Sequence, residues 1–584
     1  MATFDTVIRG GRLIDGTGAA GCFADLGLRD GLIAAIGNLK NDTATEWIDA
    51  HGKIVAPGHV SAHSHYDVSL FWDPYCSNSG ENGVTTVLNA NCGFGLAPVR
   101  PADRERTMLM LENTEQIPVA HQRAALAWDW TDFPSYLERV HALPKGVNVL
   151  TFLPINPLLV YLMGVDAAKM RRPTTDEMAA IHRLIHEAMD AGAIGVSMSV
   201  MGADGNTHVD FDGSPMPTDS LHPDDVVEIA RALAERGEGT VQVLSQIAAF
   251  GDLGLTERVA AITAGTGARV LHNIFLPLDA VPDGVPRDLA WLEGLRARGG
   301  DVTAVALLSR GWTEGGIEDI DTSMGQLPAV REIVKCPDGA AVLKLISDPA
   351  FVARLSRQYA QMGQTAGSAG LERQTILSTG EDPELQRFVG MSLGEAAALQ
   401  DKPIVAALLE LGVRSALKLL LKSPPIVSTD PRKAAALLSH PAVLAGASDG
   451  GAHTKVFSLG QYCTDLLIWL VRETGLMSLE EMHFQLSLKT ARALNLFDRG
   501  ALLPGLAADI LIYDLDALYY DLERLEVVHD MPGGDWRRRA RAGGYSRILV
   551  NGVTTHVDDR PTGAAPGRLL RVTGLGRPTA LAAE

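Results

Sequence analysis

The residues able to do chemistry are few, and most of them follow apolar runs. His63-Ser64-His65 closes the run KIVAPGHVSAHSH at 53–65. Residues two apart on a strand point to the same side, so both imidazoles project together from one strand end. Two adjacent neutral imidazoles suit a divalent transition metal, zinc above all. Taken alone, the same triplet reads equally as two polar residues in a loop. Cys92, in NANCGFG, follows the next run. Its thiolate would be a strong zinc ligand, whereas a buried free cysteine is an inert hydrophobe. His272, in ARVLHNIF, stands near the end of another run, either as a ligand or as a hydrogen-bonded core residue.

Asp449, in VLAGASDGGAH, ends the last run of this kind. A carboxylate beside an activated water can take its proton and hand it to a leaving group. Ser-Asp-Gly-Gly also suits an Asx turn. His453 stands four residues on, placed to contact substrate or to finish the loop. Trp72, Phe94 and Trp312 fall in strand-end loops and offer either pocket walls or packing. His182 and His186 share a helix face, but HRLIH lacks the glutamate of a metalloprotease helix, so both are expected in solvent.

These residues need a scaffold that brings strand ends together. Apolar segments at 53–65, 83–93, 146–155, 193–199, 240–246, 268–275, 301–308 and 442–450 read as strands. Amphipathic helices are expected between them, at 173–192 with a Thr174/Glu177 capping box and at 222–237 with Pro223 near its start. Strands alternating with helices predict a parallel sheet covered on both faces, and a closed (β/α)8 barrel is the favoured closure. Parallel strands would gather their C-terminal ends, and the residues above, at one end of the barrel. The stretch 311–440 is too long for one crossover and must hold extra helices, such as 392–412. Short strands with glycine turns at both termini, including a hairpin at Arg29-Asp30-Gly31, predict one small β domain built from both ends.

The chain has 584 residues, 46% hydrophobic and 21% charged, an ordinary globular composition. One large barrel with a satellite domain fits that length. The net charge of −19 argues against nucleic acid and anionic membranes as partners, and solubility is its plain reading; a small-molecule substrate is expected on other grounds. A homo-oligomer stays open. Five scattered cysteines do not form a disulfide framework. The start MATFDTVIRGGRLID lacks the basic and apolar regions of a signal peptide. TDLLIWLV, the densest apolar stretch, is stopped by Arg472 and Glu473 well short of a span of roughly 18 residues. A reducing cytoplasm is the expected home.

VIRGGRLIDGTG, APGHVSAHSHYD, GVTTVLNANCGFGLAPVRP, SDGGAH, DRGALLPGLAADILIYD and ILVNG together resemble the amidohydrolase superfamily. Within it, the chain resembles the D-aminoacylase (N-acyl-D-amino-acid deacylase) group over nearly its whole length. The resemblance implies a metal-dependent (β/α)8 barrel over 57–499, with a helical insertion around 311–440. It also implies a small β-sandwich from 1–56 and 500–584. By resemblance, His63, His65, Cys92, His272 and Asp449 form the metal centre, with one or two divalent ions, zinc by type. Asp449 is the acid/base group, and His453, Trp72 and Phe94 are assigned to the substrate. The implied reaction is hydrolysis of an amide C–N bond, first of all in an N-acyl amino acid, by metal-activated water. Alternatives are a cyclic amide or imide hydrolase, a lyase or cyclase on a secondary-metabolite-like substrate, and a non-catalytic ligand-binding barrel. The chain departs from the group at Ser61, where aspartate is usual, and at Ile155 and Leu159, where histidine and arginine are common. Glu81-Asn82 replaces Trp-His. No lysine suits a carboxylated bridging ligand, and no second strand histidine resembles His272.

Overall fold

Runs of Val, Leu, Ile and Thr with no alternation of polar residues belong in strands that are covered on both faces. In the computed structural model Val84–Asn89, Asn148–Thr151, Gly195–Ser199 and Thr240–Leu244 are buried at every position. The structure describes residues 2–202, 210–245, 253–320, 324, 327–362, 370–457 and 459–571. Gln246 of one expected strand, and 572–584 of the expected terminal domain, lie outside them.

Each expected apolar segment contains a strand, and the pairing of these segments with one another is parallel. His59–Val60 pairs with Val84–Asn89, which pairs with Asn148–Thr151. The next strand, Leu153–Pro154, continues to Gly195–Ser199, Thr240–Leu244, Arg269–Phe275, Val302–Ala306 and Val443–Ala445. Ala447–Gly450 then pairs back onto His63–Ser64, directly after the first strand. The hydrogen-bonded pairing of these strands forms three parallel sheets, of three, six and two strands.

The helices between these strands form where the caps predict. Thr175–Ala191 starts at a reciprocal Thr174/Glu177 capping box and ends at Gly192, whose φ of 115° suits glycine. Pro223–Arg236 opens on proline and closes at left-handed Gly237. The expected helix 392–412 is two helices, Leu393–Leu399 and Ile404–Arg414. Pro403 separates them, because proline disfavours helical geometry at the residue before it. The region 311–440 is likewise more than helical. It holds an antiparallel sheet of Glu314–Gly315, Leu419–Lys422 and Thr375–Thr379. It also has its own apolar cluster, including Val330, Phe351, Leu355, Phe388 and Leu408.

Both ends of the chain meet in one sheet. Arg12–Leu13, Cys22–Phe23 and Ile54–Pro57 join Ile510–Tyr513, Tyr545–Val550, Val553–Val557 and Arg560–Pro561. A second sheet, Thr3–Arg9 with Asp25–Arg29, Leu32–Gly37 and Thr43–Asp49, shares an apolar cluster with it through Ile8, Leu28, Ile33, Val55, Ile510 and Leu549. The hairpin turn is Asp30-Gly31, both at positive φ (53° and 78°), between paired Arg29 and Leu32. TDLLIWLV is a buried helical segment, Tyr462–Leu466 running into Leu467–Glu473. No helix among the described residues is long and apolar enough to cross a membrane.

One buried ion pair joins the terminal sheet to the parallel strands. Arg499 Nη1 lies 2.6 Å from Asp509 Oδ2, with both side chains 4% exposed. The same carboxylate accepts from the Asn551 N–H at 2.8 Å and from Asn148 Nδ2 at 3.2 Å. Removing one member of such a pair strands the other's charge, which costs about 3–5 kcal/mol. Asp509→Ala is expected to lower the unfolding free energy in urea by that amount. A loss within the ~0.5 kcal/mol of an ordinary surface change would contradict the role.

Candidate metal centre

His63 and His65 sit where Ala447–Gly450 pairs with His63–Ser64, and strand alternation aims them together. Ser64, between them, points to the neighbouring strand and donates to the Leu88 carbonyl at 2.8 Å. The two imidazoles face inward, with His63 Nε2 3.2 Å from His65 Nε2. Cys92 Sγ lies 3.6 Å from His63 Nε2. The ligand atoms of His63, His65 and Cys92 all fall within 4.8 Å of one another, and all three residues are buried.

The backbone around Cys92 explains how a residue beyond a strand reaches this point. Ala90 and Cys92 both take left-handed φ, 58° and 57°. Asp67 Oδ2 accepts the Ala90 N–H at 3.1 Å, and Gln242 Oε1 accepts the Cys92 N–H at 2.8 Å. Burial pushes the Asp67 carboxyl up to about 7, against the Ala90 bond that lowers it. Two side chains, Asp67 beyond the strand His63–Ser64 and Gln242 within Thr240–Leu244, thereby fix the loop that carries the thiol.

Asp449 arrives from the strand paired with His63. Its Oδ1 is 3.1 Å from His63 Nε2 and 3.7 Å from His65 Nε2. The turn beyond it must pass close to the His65 backbone. The His65 N–H donates to the Gly450 carbonyl at 2.7 Å, and a Cβ on Gly451 would meet the His65 carbonyl oxygen at 2.6 Å. Gly451 also has φ of 95°, so glycine is required there twice over. Enclosure raises the Asp449 carboxyl, but the His63 hydrogen bond and the fields of His63, His65 and His453 outweigh it. The group is held well below the usual carboxylate range. It is therefore ionised at neutral pH.

A carboxylate that sequence reasoning missed completes the cluster. Glu115, the last residue of the helix Arg104–Glu115, is buried. It sits between His65 Nδ1 and His453 Nε2, 3.8 Å from each. Its own carbonyl accepts the His453 N–H at 2.6 Å. Burial, then Asp449 and Asp67, push its carboxyl well up. Burial, then Glu115 and Asp449, do the same to the Cys92 thiol. A thiol and carboxyls crowded out of water are the surroundings a cation relieves, since a bound ion inverts these shifts. The donor set thus fits a metal, with His63, His65 and Cys92 as the residues to hold it. Cys92→Ser keeps the size of the side chain but offers only a neutral hydroxyl, a far poorer ligand. We expect a clear fall in metal bound per chain, read by elemental analysis. Unchanged metal with only a lower melting temperature would make Cys92 a core residue.

The structure does not bring His272 to this cluster, which corrects that expectation. His272 is fully buried, with Nδ1 3.3 Å from Thr256 Oγ1 and its ring 4.8 Å from that of Trp291. Both partners lie on flanking helices, Gly254–Thr263 and Gly284–Ala297. Adjacent strand residues face opposite ways, so it is Asn273 that turns inward. Its side-chain amide is 2.7 Å from His63 Nδ1. Such a contact on Nδ1 orients the ring with Nε2 toward the ligand cluster.

The expected substrate aromatics are placed differently from the metal residues. Phe94 is 1% exposed in the main core. Trp72 packs edge-on against His121, centroids 6.4 Å apart, and His121 pairs with Asp535 at 2.8 Å. Trp312 is buried, with Nε1 donating to Glu314 Oε1 at 3.0 Å. His453 lies at the cluster, stacked on Phe457. Of the departures, Ser61 Oγ is 3.3 Å from the His63 carbonyl, Glu81 pairs with Arg539, and Ile155 and Leu159 are buried core.

Residues 46–246 match the Amidohydrolase family. An uncharacterised protein of Mycobacterium bovis is 36% identical over 201 residues, 33% of this chain and 32% of that one. The match thus spans about a third of that relative's length. The D-aminoacylase of Alcaligenes xylosoxydans xylosoxydans is 24% identical over 587 residues, 98% of each chain. A solved structure of N-acyl-D-glutamate deacylase from Bordetella bronchiseptica, complexed with zinc and a phosphonate inhibitor, superposes with a TM-score of 0.64. It is 24% identical and covers 98% of this chain and 100% of its own. The chain shares that fold.

Proposed function

We propose that the protein is a metal-dependent hydrolase of an amide C–N bond, acting first of all on N-acyl amino acids. One observation carries the reading: His63, His65 and Cys92 converge within 4.8 Å while Asp449 Oδ1 reaches both imidazoles. The amidohydrolase family match and the full-length likeness to a D-aminoacylase support the substrate class. The succession of parallel strands supports a (β/α)8 barrel over 57–499. The two sheets sharing one apolar cluster support a β-sandwich from 1–56 and 500–584. Zinc is the metal we assign, because a two-histidine, one-cysteine set suits it. Five cysteines without a disulfide among them fit the cytoplasm.

A divalent metal bound here would polarise the amide carbonyl and lower the pKa of a bound water toward ~7. Asp449 Oδ1, ionised beside both imidazoles, would take a proton on this side of the cluster and return it to the leaving nitrogen. Asn273 and Glu115, touching the far nitrogens of His63 and His65, would hold both Nε2 atoms inward. His453, fixed by the Glu115 carbonyl, would close the side of the site facing the loop. The test is a turnover screen of N-acyl-D- and N-acyl-L-amino acids alongside cyclic imides, with metal measured on the same sample. Turnover of an acyl amino acid is expected. Turnover of imides alone would make the protein a cyclic amide hydrolase, and metal without any turnover would favour a binding barrel.

A further inference from the structure

Beside Asp449 a narrow cleft runs between the loop 449–457, Ser77 and Asn78, and the strand Arg537–Arg539. That strand belongs to a hairpin with Glu526–Val528, sent from the C-terminal part of the chain. The hairpin is pinned to the loop that follows Asp449. The Arg538 N–H donates to the Thr454 carbonyl at 2.7 Å, and Arg538 Nε to the Lys455 carbonyl at 2.8 Å. Lys455 Nζ returns to Asp535 Oδ2 at 2.7 Å.

Three consecutive arginines at the wall of a shielded cleft each need counter-charge. Arg537 has it, with Nε and Nη2 on the Asp530 carboxylate at 2.7 and 2.8 Å. Arg539 has Glu81. Arg538 is the least provided, although it is only 8% exposed. Glu314 Oε2 lies 3.5 Å from its Nη1, longer than a charge-assisted hydrogen bond. The other oxygen of Glu314 already accepts from Trp312 Nε1 and the Leu525 N–H, at 3.0 and 2.8 Å. Burial pushes the Arg538 guanidinium below its ordinary value, and Glu314 and Asp319 offset this only in part.

We propose that Arg538 is the specificity-determining cation of the site, binding the free carboxylate of a substrate whose scissile amide lies at Asp449. Its planar fork matches a carboxylate, and the bound anion supplies the counter-charge the fold leaves short. The preferred substrate is then an acyl amino acid with a free acid group, not a neutral imide. This inference rests on the amide-hydrolase reading.

The test measures kcat and KM for an N-acetyl amino acid and for its neutral carboxamide, in wild type, Arg538→Gln and Arg538→Lys. Arg538→Gln is expected to cut the preference for the acid over the carboxamide about ten- to hundredfold, mainly through KM. Arg538→Lys should recover part of it, because it restores charge without the fork. An equal loss on both compounds, or an unchanged preference, would overturn the inference while leaving the hydrolase reading standing. Should wild type hydrolyse neither, calorimetric titration with the same N-acetyl amino acid decides. Weaker binding to Arg538→Gln keeps the assignment, and equal binding overturns it.

Discussion

Asp449→Asn is expected to lower kcat by about 10²–10⁴-fold, the usual contribution of a general acid–base group, with metal content and melting temperature close to wild type. The substitution separates the two roles the sequence leaves open. The turn at this position is closed by the backbone, with the Ala452 N–H donating to the Asp449 carbonyl at 3.0 Å. The residue sits at φ of 43°, a left-handed conformation that asparagine adopts nearly as readily as aspartate. The fold therefore keeps what it needs. The lost property is the ionised oxygen beside His63 and His65. A variant that turns over normally on a confirmed substrate would send the proton to another carrier, with His453 the first to examine. One that melts lower with kcat intact would make Asp449 a turn residue alone.

His63→Ala and His65→Ala should each remove most bound metal and most turnover while leaving a folded chain. Each takes away one of three converging ligand atoms, and the remaining pair cannot enclose an ion. The folding core does not depend on either ring. The strands around them are held by backbone pairing and by apolar clusters that include Val60, Ala62, Leu88 and Leu444. Far-UV circular dichroism and elemental analysis on one sample check the two halves of the prediction. Metal and activity retained in both variants would remove the centre from the cluster.

Much of this centre is legible in the sequence because its signals are local. A strand fixes the direction of residues two apart, so His63 and His65 declare themselves as a pair. SDGGAH carries the glycine that lets Asp449 pass the His65 backbone. Strand runs without polar alternation announce a parallel sheet. The illegible parts depend on choices that local pattern cannot make. In LHNIF either His272 or Asn273 faces inward, and the more obvious ligand type took the outer face against Trp291. Glu115 ends a helix far from any strand-end motif, and only the packing of that helix carries its carboxylate to His65 and His453. Arg538 lies 89 residues beyond Asp449 in a hairpin of another part of the chain. Its relation to the cleft exists only in three dimensions. The two-helix form of 392–412 was readable from Pro403, whereas the antiparallel sheet within 311–440 joins strands about a hundred residues apart.

The most direct test of the central claim is turnover of an N-acyl amino acid by chelator-stripped protein as zinc is titrated back. Activity should be absent without metal, rise in proportion to the zinc bound, and fail to return in His63→Ala at the same zinc concentration. Full turnover by the stripped protein, or equal recovery in His63→Ala, would contradict a hydrolytic metal centre built on His63, His65 and Cys92.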